Sequence, residues 1–134
     1  MNSKRKTILT AAMLLAIILG AQCGDSPEML NASPTVTHVG PAVWVDGELE
    51  LALWIQDIEE DPVDLQVLLA SGEMLEGVGG HGLVGLTTGA EFPGQSHLLV
   101  FETGAVSGGE TLTLIAVDFE ENEGKPVEFE VPAK

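Results

Sequence analysis

The stretch that most restricts the fold is residues 47–69, GELELALWIQDIEEDPVDLQVLL. In its first half Leu49, Leu51, Leu53 and Ile55 alternate with Glu48, Glu50, Ala52 and Trp54. In its second half Val63, Leu65, Val67 and Leu69 alternate with Asp64, Gln66 and Leu68. A period of two places every apolar residue on one side of an extended chain, whereas a helix of about 3.6 residues per turn would scatter them. Each half therefore predicts a strand with one buried face. The residues between them, 57–62, hold Asp57, Glu59, Glu60 and Asp61 and end at Pro62, which has no amide hydrogen to continue a ladder. The two strands run in opposite directions on either side of this acidic turn.

Weaker versions of the same pattern fill the chain after residue 33. Residues 34–45 predict a strand interrupted at Gly40-Pro41, as expected of a sheet edge. Asp46-Gly47 is a turn signal. Residues 70–95 are rich in glycine, with Met74-Leu75 and residues 83–86 as short apolar pieces suited to short strands. Gly77, Gly79 and Gly82 satisfy a GxGxxG spacing, but no helical period follows and no basic residue is near. That spacing needs a strand before it and a helix after it to hold a phosphate, so it reads here as loop. Residues 97–102, 111–118 and 127–131 are further strands, and residues 120–124 form a second acidic turn. Short strands at regular spacing, with turn signals between them, predict an all-β antiparallel sandwich of about seven strands. Its core is expected to hold Leu51, Leu53, Ile55, Leu65, Val67, Leu112, Leu114, Ala116, Val127 and Phe129.

The N-terminal residues follow different rules. Lys4, Arg5 and Lys6 precede an apolar run, residues 8–20, that ends just before Gln22-Cys23-Gly24. The run is short of the roughly 20 residues a membrane-spanning helix needs, and the layout is that of a secretory signal peptide. Leu19-Gly20-Ala21-Gln22-Cys23 resembles the lipobox of bacterial lipoproteins, departing from it at Gly20 and Gln22, where that family prefers leucine and a small residue. The resemblance implies that residues 1–22 are removed and that Cys23, the sole cysteine, becomes a lipidated N-terminus. The protein would then be exported and anchored to the bacterial cell envelope, at the outer membrane or cell surface. Residues 23–33 would be a flexible tether, and residues 34–134 the domain. Without the leader, Lys125 and Lys134 face all 21 acidic residues, a net charge of −19. Such a surface excludes nucleic acid as a partner and repels anionic membranes.

Three runs, LALWIQDIEEDPVDLQVLLASGE, GQSHLLVFETG and ETLTLIAVDFEENEGKPVEFEV, carry a second resemblance. They contain a D-x-E-x-D-P turn between strands and an A-x-D-x-x-x-N run before the last strand. In this they resemble the Ig-like and fibronectin type III-like modules of bacterial secreted proteins and lipoproteins. The cysteine pair of true immunoglobulin domains is absent. The resemblance implies a structural or binding module; its motifs specify a fold and say little of the ligand.

The residues themselves agree with that. His38, His81 and His97 are far apart, lack metal-ligand spacing and are expected at the surface. No serine has a nucleophile-elbow context. Paired carboxylates serve glycosidases, but a chain with two Trp, four Phe and no Tyr has little with which to line a sugar cleft. No catalytic residue is assigned. Trp54 shares the polar face of its strand and is either a contact for a partner or covered by the glycine-rich segment. The turn after the second strand and the turn before the last strand are expected at one end of the sandwich, where the tether with Asp25 and Glu28 also arrives. That convergence would bring together Asp57, Glu59, Asp61, Asp118, Glu120 and Asn122, oxygen ligands of the kind calcium takes, with Asp57, Asp61 and Asp118 best placed. The expected role is a lipid-anchored module binding an envelope protein or polysaccharide. The alternatives are a calcium-stabilised structural module and, less well supported, a small enzyme or enzyme inhibitor.

Overall fold

A computed structural model describes residues 32–134. The leader, Cys23 and most of the tether, including Asp25 and Glu28, lie outside the described residues. Eight strands follow in order: β1 (Thr35–Val45), β2 (Glu48–Gln56), β3 (Val63–Leu68), β4 (Met74–Leu75), β5 (Gly79–Gly80), β6 (Gln95–Phe101), β7 (Thr111–Asp118) and β8 (Val127–Glu130). There is no helix among the described residues. The strands form two antiparallel four-stranded sheets, ordered β1-β2-β6-β5 and β4-β3-β7-β8.

β2 and β3 do not pair with each other. The acidic turn between them carries the chain from one sheet to the other, so the leucine faces of the two strands meet across the core. Leu49, Leu51, Leu53 and Ile55 are fully buried, as are Val67, Leu112, Leu114 and Ala116, with Val63 and Leu65 nearly so. Burying one such side chain stabilises the fold by about 1.5–3 kcal/mol. Val127 and Phe129 are half-buried rather than buried, because β8 is an edge strand with β7 on one side only. β6 contributes Leu99 and Phe101 to the core, and the loops and chain end contribute Leu86, Val106 and Val131.

β1 lies at a sheet edge, as Gly40-Pro41 predicts, and its register on β2 shifts between Val39 and Ala42. Its far end is tied across the sandwich: the Trp44 indole Nε1 donates to the Pro132 carbonyl at 2.9 Å, and Lys134 Nζ sits 4.7 Å from the Trp44 ring centre. The glycine-rich segment forms β4 and β5, and residues 83–86 run along β3 through Leu65 N–H to Leu83 O and Val63 N–H to Leu86 O. GxGxxG supplies strand β5, which pairs with β6, rather than a phosphate loop.

One end of the sandwich collects three connections. Val63 pairs with Asp118, so the β2–β3 and β7–β8 turns are neighbours. Thr35 pairs with Gln56, so β1 begins there too. The loop before β6 closes on the same place: Asp57 N–H donates to Gly89 O at 3.0 Å and Gln56 Nε2 to Ala90 O at 2.9 Å. Gly94, at φ +96°, is required for this closure, since a Cβ there would run into the Ile55 carbonyl.

Candidate metal centre

The two acidic turns at this end are built alike. Asp57-Ile58-Glu59-Glu60-Asp61 and Asp118-Phe119-Glu120-Glu121-Asn122 both follow a core strand. In each the leading aspartate is buried, at 1% exposed for Asp57 and 4% for Asp118. Its Oδ1 accepts the backbone N–H two residues on, Glu59 or Glu120, at 2.9 Å. Its carbonyl accepts the N–H three residues on, Glu60 at 2.8 Å or Glu121 at 3.0 Å. The fourth residue is left-handed, with φ of 58° at Glu60 and 67° at Glu121. Aspartate nucleates such turns because its short carboxylate can reach the backbone ahead of it.

The turns differ at the fifth position. Asn122 Nδ2 donates to Asp118 Oδ2 at 3.1 Å, and Asn122 N–H donates to Asp118 Oδ1 at 2.9 Å. Asp61 stands where Asn122 stands in the other turn, and an ionised carboxylate has no hydrogen to give. Asp57 Oδ2 is buried and has no hydrogen-bond partner. Burial pushes the Asp57 carboxyl up to about 6 from an ordinary 3.8, against the lowering effect of the Glu59 N–H; hydrogen bonding of its protonated form to the Glu59 side chain and the charges of Asp61 and Glu59 raise it further. An unpartnered buried carboxylate beside two others is relieved either by a proton or by a cation.

The geometry suits a cation. One oxygen each from Asp57, Glu59 and Asp61 lie within 4.8 Å of one another. Calcium–oxygen bonds of about 2.4 Å allow two ligands to stand up to about 4.8 Å apart across a shared ion. Of the six expected ligands, the structure groups these three. Asp118, Glu120 and Asn122 build their own turn, in which Asn122 supplies the donor that the first turn lacks.

The remaining expected residues fall as follows. Trp54 is half-buried on the outer face of β2, and the ring against it is that of His38, with centres 5.2 Å apart. The expectation that all three histidines are surface residues is wrong for His97, which is 7% exposed. Its place in the alternation of β6 turns it inward, opposite Leu53. There its Nε2 contacts Thr87 O at 2.7 Å, and its Nδ1 lies 2.9 Å from Nδ1 of His81. A carbonyl only accepts, so Nε2 of His97 is the donor to Thr87 O. The pair pins the glycine-rich loop to β6, since β5 brings His81 alongside Leu98. Comparison with family models, with curated proteins and with solved structures returns no match.

Proposed function

We propose that the chain is a non-catalytic, calcium-stabilised interaction module of the bacterial envelope, exported and held to a membrane by lipid on Cys23. The observation that carries the metal part is the buried, unpartnered Oδ2 of Asp57, on a carboxylate grouped with those of Glu59 and Asp61. The lipid part rests on the lipobox-like residues 19–23. The strand order supports an Ig-like reading. Taking β1, β2, β6 and β5 as strands A, B, E and D, and β4, β3, β7 and β8 as C′, C, F and G, reproduces the ABED and CFG sheets of that fold with C′ beside C. In this reading the acidic end is the loop end that Ig-like domains use for partners.

Calcium sites of extracellular modules have dissociation constants of about 10⁻⁴–10⁻³ M. Calcium at 1 mM would then stabilise the fold by about 0.4–1.4 kcal/mol through mass action. For a domain of this size that is a rise in Tm of roughly 2–11 °C. The test is thermal unfolding in calcium, in chelator and in magnesium at equal ionic strength. Calcium is expected to raise Tm above the magnesium value. Equal shifts would show only screening of a highly acidic surface and would sink the metal reading.

A further inference from the structure

We propose that the acidic end docks onto an anionic lipid surface, with the cation held by Asp57, Glu59 and Asp61 bridging to lipid phosphate while Ile58, Phe92 and Phe119 enter the bilayer interface. The inference deepens the proposed function and rests on both its calcium site and its lipid anchor on Cys23. Three loops meet at this end, and each carries an exposed large apolar side chain: Ile58 between β2 and β3 at 68% exposed, Phe92 between β5 and β6 at 74%, and Phe119 between β7 and β8 at 68%. Single exposed apolar residues are ordinary on soluble domains; three on the tips of adjoining loops form a set. Of the other exposed apolar residues, Val43, Val45, Met74 and Leu98 lie on strands, and Val84 lies earlier in the β5–β6 loop.

The twin turns explain how the tips are held out. The buried aspartate and the left-handed glutamate fix the turn on either side of its second residue, and that residue is Ile58 in one turn and Phe119 in the other. Turns built for solubility alone would carry a polar residue there.

Two further observations select a membrane as the occupant. The chain enters the described fold at this end, with Ala32 N–H donating to Glu59 Oε1 at 3.3 Å, nine residues after the proposed lipid anchor Cys23. The residues between Cys23 and Ala32 can span at most about 30 Å, so the acidic end stays within that distance of the bilayer. The second is charge. Among the described residues Lys125 and Lys134 are the sole lysines, with no arginine, so of these three loops only the β7–β8 connection, through Lys125, carries a basic side chain. The carboxylates would keep the tips off an anionic surface until a cation lowers their charge and bridges them to phosphate. Three carboxylates do not exhaust the roughly six to eight oxygens calcium takes, which leaves positions for phosphate oxygens.

The experiment uses the protein isolated from membranes, carrying an environment-sensitive dye at Glu91→Cys, next to Phe92. A second preparation carries it at Ser71→Cys, at the far end of β3. Both are mixed with phosphatidylcholine vesicles, with or without phosphatidylglycerol, containing brominated acyl chains. Calcium is expected to quench the dye at position 91 on the anionic vesicles, reversibly with chelator, and to leave the dye at position 71 unchanged. Phe92→Ser and Phe119→Ser should each raise the calcium concentration needed for quenching by about tenfold or more, the scale of burying one such side chain. Asp61→Asn should abolish the response. No quenching at position 91, equal quenching at both positions, equal quenching on neutral vesicles, or a response that survives Asp61→Asn would each overturn the proposal. Failure of the underlying readings shows separately. Co-flotation with vesicles in chelator reports the lipid anchor, and the calcium effect on Tm without vesicles reports the metal.

Discussion

Replacing Asp61 with asparagine turns the first acidic turn into a copy of the second, and the structure supplies the magnitude. In the second turn the asparagine amide donates to the buried aspartate at 3.1 Å. A hydrogen bond to a charged group contributes about 1.5–3 kcal/mol. An independent ceiling comes from Asp57 itself. Raising its carboxyl from 3.8 to about 6 corresponds to roughly 3 kcal/mol at neutral pH. Part of that is desolvation, which the substitution leaves in place. Asp61→Asn is therefore expected to stabilise the protein by about 1–3 kcal/mol in chelator at pH 8, roughly 4–24 °C in Tm for a domain of this size. At the same time the calcium increment of about 0.4–1.4 kcal/mol should vanish. The assay is circular dichroism melting of both proteins in chelator and in calcium. A variant that melts at or below the wild type in chelator, or that keeps the wild-type calcium increment, refutes the reasoning. The first outcome would mean that Asp57 is not a strained ion, the second that the ion does not sit between these carboxylates.

The remaining predictions concern pH, core and address. Because the folded carboxyl of Asp57 lies above its unfolded value, it adds stability below about pH 4 that is lost as pH rises through about 6. A chelated sample should show a decline in Tm between those values that calcium flattens at the upper end; a pH-independent Tm there would count against the shift. Leu53→Ala should destabilise by about 2–5 kcal/mol in denaturant titration, since Leu53 is fully buried in the central strand β2; a loss below 1 kcal/mol would mean that the sheets do not close over it. Cys23→Ala should block processing and uptake of labelled fatty acid, and a wild-type protein that takes up no label would remove the anchor.

How far this molecule could be read from its residues depended on how local each cause is. The alternation of Leu49 to Ile55 and of Val63 to Leu69 is a backbone property, and it determined two strands, their buried faces and the all-β class without any neighbour being known. The acidic turns were legible for the same reason, because Asp57 and Asp118 act on amides two to four residues away. The repeat of DIEED and DFEEN is also present in the chain, and aligning the turns would have exposed the change from asparagine to aspartate. What that change means was decided only by tertiary structure. Oδ2 of Asp57 lacks a partner because packing removes it from water; on an open turn, solvent would have supplied the hydrogen bond. Burial at the edge strand β8 followed the same logic in reverse, since Val127 and Phe129 alternate as well as any core strand yet have no second neighbour to cover them. The pairing of His81 with His97 was the least legible. It depends on a glycine-rich loop folding back along β6, and glycine restricts the backbone so little that no local preference foretells where such a loop will lie.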